Sequence, residues 1–131
     1  MQTLQQQRAR FALTQVKAVP AADREDFKRQ AESFPAMIRM NGLGQAAAFY
    51  FSKREKEKNK DAREMNAYER LYLLLGEWLT KPGQPYASCE NLLQGITQQN
   101  MHAYRLAQAE ALLLLDWVKK FAKAFAGEEN V

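Results

Sequence analysis

A chain of 131 residues is long enough to bury the core of one domain, so neither a metal nor a disulfide is needed to hold it together. Its single cysteine cannot form an internal bridge, which fits a reducing compartment, and no apolar run approaches the roughly 20 residues of a membrane span. With an N-terminus that has neither a basic start nor an apolar signal core, these features predict one domain over residues 1–131, in the cytoplasm and without a membrane partner.

The net charge of +4 is unevenly distributed along the chain. Residues 1–60 contain 12 Lys or Arg against 6 Asp or Glu, whereas residues 61–131 contain 7 against 9. The excess of positive charge therefore belongs to the N-terminal half. Such an asymmetry favours a phosphate-bearing or acidic partner over that half, although many other soluble proteins are equally basic.

The first predicted helix runs from about Thr3 to Ala18 and carries one apolar stripe. Arg8 lies in the middle of that stripe, whereas Arg10 and Lys17 point the opposite way. Two interpretations of Arg8 stay open. In the first, the side-chain stem packs on the core and the guanidinium pairs with a carboxylate. In the second, the apolar stripe contacts another chain or a phosphate.

The second predicted helix begins near residues 20–23, where Pro and Asp suit a first turn. Arg24 and Lys28, one turn apart, form a small basic ridge on this helix. Pro35 lies inside the same pattern, which predicts a kink or a restart before residue 36. Arg39 comes just ahead of the next turn.

The segment 34–52 is the one around which the chain is organised. Its Asn41-Gly42 step is typical of a helix end with Gly at a positive φ, so we expect the chain to turn sharply there. After the turn, Leu43 to Ser52 is apolar nearly all round when wound as a helix. A helix of this kind belongs in the interior, and its three consecutive alanines let other helices approach closely.

A run of charged residues without an apolar side chain follows at 53–60. Such a run is typical of a solvated, flexible connector, and it is also an obvious place for a strand of phosphates to lie. The two interpretations are compatible, because a flexible basic loop can become ordered on a polyanion. Lys53 and Arg54 open this run.

Three more helices are predicted in the C-terminal half. The first covers about Asp61 to Thr80, and a short one follows with Ser88 as its cap. The last covers about Gln99 to Ala126, with Asn100 or Thr97 as its cap.

The last predicted helix carries two apolar stripes on nearly opposite sides. One stripe fits the core, and the other consists of Leu106, Leu113 and Trp117. A helix with two apolar stripes is either wrapped on both sides by its own domain or offers one stripe to a partner. These three residues are therefore a candidate protein interface, and we expect residues 127–131 beyond the helix to fray.

The apolar residues keep helical spacing throughout, and no sustained strand-type alternation competes with it. The Pro/Gly-rich loop at 81–87 is too short to separate domains. We predict an all-α protein, a compact single-domain bundle of about six helices around the central apolar helix Leu43 to Ser52.

Groups for catalysis or metal binding are scarce in this sequence. It has one His and one Cys, and His102 lacks the Glu-x-x-His step that di-metal helical bundles use. No glycine-rich phosphate cradle is present, because Gly44 is followed by Gln and Ala. The helix after Gly42 offers Leu, Ala, Phe and Tyr, a poor surface for reading base edges in DNA. We expect a protein that is not an enzyme and that uses no metal and no cofactor.

Three segments carry a family resemblance: residues 7–17 (QRARFALTQVK), 34–49 (FPAMIRMNGLGQAAAF) and 104–122 (YRLAQAEALLLLDWVKKFA). Together they resemble the small helical subunit of the Cmr complex, the type III-B CRISPR RNA-silencing effector. The middle segment is the most specific of the three.

The resemblance implies a noncatalytic architectural subunit that works in antiviral defence. Copies of such a subunit stack as a minor filament beside the guide-binding backbone subunits and line the path of the target RNA, while cleavage belongs to the backbone subunits. The implied partners are the backbone and large subunits, further copies of this chain, and the target and guide RNA within the complex.

The basic residues of the N-terminal half are the candidates for RNA binding. They are Arg8, Lys17, Arg24, Lys28, Arg39, Lys53 and Arg54. The family resemblance gives modest support to Arg8 and Lys17, and the charge distribution indicates the other five. Their expected role is to contact phosphates of the target strand without reading its bases. The alternative is a helical scaffold that binds protein neighbours and makes no direct contact with nucleic acid.

Overall fold

A computed structural model describes residues 1–55 and 65–127 of the chain. Within these ranges it contains five α-helices and one short 3₁₀ turn, in the order α1 (Leu4–Lys17), the turn (Ala21–Asp23), α2 (Arg24–Ser52), α3 (Ala67–Leu79), α4 (Leu92–Gln98) and α5 (Met101–Phe125). No strand occurs in the described ranges. The prediction of an all-α protein folded as a compact bundle is confirmed.

The helix starts follow from side chains that accept hydrogen bonds from the first free amides. Of the two caps predicted for α5, Asn100 is the one that the structure shows, because its side-chain oxygen accepts a hydrogen bond from the Ala103 amide at 2.9 Å. The predicted cap of α4 was wrong. Asn91, not Ser88, accepts from the Gln94 amide at 2.9 Å, since only a residue directly before the first turn can reach that amide.

The helix α2 is folded back on itself at Gly42, where φ is 87° and ψ is 160°. The Tyr50 hydroxyl donates a hydrogen bond to the Gln30 carbonyl at 2.9 Å, and the rings of Phe34 and Tyr50 stack with centroids 3.9 Å apart. In a straight helix, residues 30 and 50 would be about 30 Å apart. The two arms, 24–41 and 43–52, therefore form a helical hairpin, which confirms the predicted sharp turn and adds a sixth helical segment.

A kink or a restart was predicted at Pro35, and the restart does not occur. Gly42 is the position at which α2 leaves helical dihedral angles, and the first arm continues through Pro35. Pro35 is buried, and the helix continues there despite the missing amide donor.

The second arm has one fully buried face rather than contacts on all sides. Leu43, Ala46, Ala47 and Tyr50 have no exposed surface, whereas Phe49 on the other side is 39 % exposed. The buried face packs against α5, which also contacts α1 and α3. The core thus lies between α5 and the hairpin, and α3 and α4 close it from the side.

Some expectations fall on residues outside the described ranges. These are most of the charged connector (56–60), the start of the third predicted helix (61–64) and most of the tail (128–131). In the described ranges, none of the helices combines the length and the apolar character that crossing a membrane requires.

Candidate nucleic-acid interface

Contacts between helix ends bring several of the candidate basic residues to one end of the bundle. Arg24, at the start of α2, donates from Nε to the Val19 carbonyl at 3.1 Å, just after α1 ends at Lys17. Arg70 in the first turn of α3 lies 3.9 Å from the Asp23 carboxylate. The C-terminus of α1 and the N-termini of α2 and α3 therefore meet.

The second arm of α2 ends at the same place. The Asn66 side chain, which caps α3, donates to the Lys53 carbonyl at 2.8 Å. Since the two arms run in opposite directions, Lys53 returns to the level of the first turns of α2. We call this region the basic end, and it carries five of the seven candidates: Lys17, Arg24, Lys28, Lys53 and Arg54.

The basic end offers its lysines to solvent more than its arginines. Lys17 and Lys53 are exposed, Lys28 is half-buried, and none of the three has a carboxylate within 4 Å in the part of the chain that the structure describes. Arg24 is only 7 % exposed. The available positive charge at this end is therefore mainly that of the lysines.

Two cations at the end of the second arm rest on aromatic rings. Lys53 Nζ lies 5.4 Å from the centre of the Phe49 ring. The Arg54 guanidinium carbon lies 3.7 Å from the centre of the Phe51 ring, and its Nη1 donates to the Phe51 carbonyl at 2.7 Å. Arg54 thus helps to close the helix C-terminus, where a positive charge is favourable.

Arg39 lies apart from the basic end. It is exposed in the last turn of the first arm, close to Gly42 at the hairpin tip. Helical spacing places Arg39 on the same side of the arm as Lys28, about 16 Å along the axis. Glu32, also exposed, lies on that side between them, so the first arm does not present an uninterrupted row of positive charge.

Arg8 is buried between three helices. Its Nε and Nη2 donate to the two carboxylate oxygens of Glu110 on α5 at 2.5 and 2.8 Å, and the Trp78 indole of α3 donates to Glu110 Oε2 at 2.9 Å. Of the two interpretations of Arg8, the structure shows the carboxylate pair. Its guanidinium is not available to a phosphate in this fold, so we leave Arg8 out of the residues proposed to contact RNA.

The hydrogen bonds and charges around Arg8 also shift the pKa values of Arg8 and Glu110. Burial by itself raises the pKa of Glu110, but the hydrogen bonds from Arg8 and Trp78 and the positive charge of Arg8 outweigh it and lower the pKa below its ordinary value. The hydrogen bond to Glu110 raises the pKa of Arg8. Both groups therefore stay charged at neutral pH, as a pair inside the bundle.

The second apolar stripe of α5 is partly exposed. Leu106 and Leu113 are 49 % and 48 % exposed, and the half-buried Trp117 stacks on Phe121 with ring centroids 5.7 Å apart. The other stripe of α5 is buried, including Leu114 and Leu115 with no exposed surface. Within the described ranges, the domain thus buries one stripe of α5 and leaves the other partly exposed.

The described residues contain no group of three His, Cys, Asp or Glu side chains placed to hold a metal ion.

The comparison with protein families agrees with the resemblance noted in the sequence. The family model described as CRISPR-associated protein (Cas_Cmr5) matches residues 4–125, a span that begins with α1 and ends with α5. The match covers the hairpin, the basic end and both stripes of α5. This chain belongs to the Cas_Cmr5 family and is a small subunit of the Cmr, or type III-B CRISPR, complex.

Proposed function

We propose that this protein is a noncatalytic subunit that stacks in a minor filament of the effector and holds the target RNA through its phosphates. The observation that carries the proposal is the basic end, where Lys17 and Lys53 are exposed and have no carboxylate partner in the described ranges. Exposed lysines without a carboxylate partner attract a polyanion, and no ion pair within the protein has to break for them to bind it.

The proposed contact is electrostatic and independent of base sequence. Phosphate contacts set the position of a strand, whereas the pairing of guide and target supplies sequence choice. With about three phosphates neutralised per copy, the affinity for a single strand falls with a log-log salt slope near −2. One copy binds weakly, and stacked copies gain from multivalency.

The proposed residues fall into three groups. Lys17, Lys28 and Lys53 at the basic end are the principal contacts, and Arg54 and Arg39 are secondary, because one is stacked on a ring and the other lies at the hairpin tip. Arg24 contributes charge from a buried position.

The exposed stripe of α5 is the proposed protein interface. An isolated domain gains nothing from leaving Leu106 and Leu113 half in water, and burying apolar area against a neighbour stabilises an assembly. The proposed neighbours are further copies of this chain, the guide-binding backbone subunit and the large subunit. This surface is also what supports the alternative, a scaffold that never touches RNA.

Charge reversal at the basic end tests the proposal and separates it from the scaffold alternative. In the reconstituted complex, Lys17→Glu with Lys53→Glu is expected to weaken target-RNA binding and to make the salt slope shallower by about 1.4, the value for two lost phosphate contacts. The matched control is Lys119→Glu with Lys123→Glu, the same change of charge at two lysines of α5 that are not among the proposed RNA contacts and that helical spacing places off the exposed stripe.

Assembly of both variant complexes is verified by size-exclusion chromatography before RNA is added. Unchanged RNA retention in the basic-end variant rejects the phosphate contact and favours the scaffold. An equal loss in both variants also counts against the basic end, since it shows that net charge alone is responsible.

A further inference from the structure

A groove of about 370 Å³ lies between α1 and the C-terminal end of α3. Phe11 and Trp78 form its aromatic part, with ring centroids 5.2 Å apart. Arg10 and Lys81 supply positive charge at its wall. Its volume falls within the range of sites that hold small organic ligands.

The two cations of the groove have no carboxylate within 4 Å in the described ranges. Arg10 makes one long hydrogen bond of 3.5 Å to the Gln2 side chain. Lys81 Nζ lies 5.3 Å from the centre of the Phe11 ring, although Glu77 is only one helical turn away. Glu77 itself accepts a hydrogen bond from Gln15 at 3.2 Å.

An aromatic ring beside two unpaired cations is the combination that single-stranded nucleic acids occupy. A base stacks on an aromatic side chain whatever its identity, and nearby Lys or Arg side chains take the adjoining phosphates. Lys81 and Phe11 are both half-buried, and a base that stacks on Phe11 competes with the ammonium for the face of the ring. The released ammonium is then free to move to a phosphate.

The groove is also continuous with the basic end. Arg10, Thr14 and Lys17 share one side of α1, and Lys17 lies seven residues, or about 10 Å, beyond Arg10. A strand that contacts the lysines at the basic end thus has a basic path along α1 to the groove.

We propose that the α1–α3 groove binds one unstacked nucleotide of an RNA strand, with its base on Phe11 and its phosphate between Arg10 and Lys81. This inference rests on the proposed RNA-holding function and adds a base-stacking contact to it. The contact accepts every base, because stacking and mobile cations do not read base edges. It differs from the basic end in that its strength depends on the presence of a base.

The test compares two single strands of equal length and charge, an oligoadenylate ten-mer and a ten-mer of abasic ribose phosphates. The full chain is expected to bind the base-bearing strand about tenfold more tightly, the order of magnitude for one stacked base. Phe11→Leu, which keeps an apolar side chain against Trp78, is expected to remove this difference. Lys81→Gln is expected to weaken both strands.

Phe121→Leu is the matched control, because Phe121 is another half-buried ring next to a tryptophan but lies outside the groove. In this variant the preference for the base-bearing strand is expected to persist. Thermal unfolding of each variant checks that the fold is retained.

Equal, salt-dependent binding of both strands by the unmodified chain overturns the nucleotide site and leaves the phosphate-holding function standing. If neither strand binds the chain or the reconstituted complex, the nucleotide site and the phosphate-holding function are both overturned. A polyglutamate peptide that competes as well as the oligoadenylate also overturns the nucleotide site, since an acidic peptide would then satisfy the groove.

Discussion

The hydroxyl oxygen of Tyr104 on α5 accepts a hydrogen bond from the backbone amide of Gly44 at 2.8 Å. Gln108, one turn further along α5, accepts from the Leu43 amide at 2.9 Å. The first amides of any helix lack partners within that helix, and here the second arm of α2 receives them from another helix. The hairpin tip is thus closed by α5, the helix against which the second arm packs.

Removing the Tyr104 hydroxyl is expected to destabilise the fold. In Tyr104→Phe the Gly44 amide loses its acceptor at a partly buried position, which costs about 1–2 kcal/mol of the free energy of unfolding. Urea unfolding measures the loss, and hydrogen exchange at Gly44 locates it. Tyr68→Phe is the control, because no hydrogen bond to the Tyr68 hydroxyl occurs in the described ranges. Equal losses in the two variants would contradict this role for Tyr104.

Gly42→Ala is expected to be more destabilising than Gly83→Ala. Both glycines have positive φ, 87° and 88°, so both substitutions strain the backbone. An added Cβ at Gly42 also comes within 3.1 Å of the Tyr104 hydroxyl, whereas at Gly83 it meets open space. We expect a loss of about 2–3 kcal/mol at Gly42 and about 1 kcal/mol at Gly83. Thermal and urea unfolding of the two variants provide the comparison, and a larger loss at Gly83 would refute it.

The buried pair of Arg8 and Glu110 leads to a rescue experiment. Arg8→Met leaves the Glu110 carboxylate buried without its partner and is expected to cost about 3–5 kcal/mol at pH 7. Adding Glu110→Gln removes the buried charge and keeps an acceptor for the Trp78 indole. The double variant is therefore expected to be at least about 1 kcal/mol more stable than Arg8→Met alone. A double variant no more stable than the single one would show that the buried charge is not the cause.

The same pair predicts a pH dependence. Because the pKa of Glu110 is lowered in the folded protein, its charge contributes stability that is fully present above the ordinary value of 4.5 and is lost as the pH falls through the lowered pKa. The unmodified protein should therefore be more stable than Glu110→Gln, and the difference in the free energy of unfolding should be largest at neutral pH. Below about pH 4.5 the gap should narrow, as measured by urea unfolding between pH 7 and pH 3. A difference in the free energy of unfolding that stays constant over this pH range would contradict the prediction.

Substitutions at two neighbouring leucines of α5 are expected to distinguish an effect on folding from an effect on assembly. Leu114→Ala creates a cavity in the core and is expected to cost about 2–5 kcal/mol. Leu113→Ala, at a side chain 48 % exposed, is expected to change the free energy of unfolding by less than about 1 kcal/mol. It is nevertheless expected to reduce incorporation into the reconstituted complex, which a pull-down with the other subunits measures. Full incorporation of Leu113→Ala would argue against the exposed stripe as an interface.

Local patterns in the sequence determined the helical elements and the turn at Gly42. Helical spacing of apolar residues, the Asn100 cap and the Asn41-Gly42 step all depend on neighbours in the chain, and each of them predicted its feature correctly. Two local patterns were misleading. Ser88 does not cap α4, because Asn91 lies directly before the helix, and Pro35 does not restart the helix, because α2 continues through it.

Tertiary structure alone decided which charges are free and where they gather. No spacing in the sequence pairs Arg8 with Glu110, 102 residues away, or places Lys81 over the ring of Phe11. Whether a cation is neutralised inside the bundle or left for a partner depends on contacts between helices distant in the chain. The sequence by itself therefore established an all-α fold with a basic N-terminal half, and packing selected the lysines that remain exposed at one end.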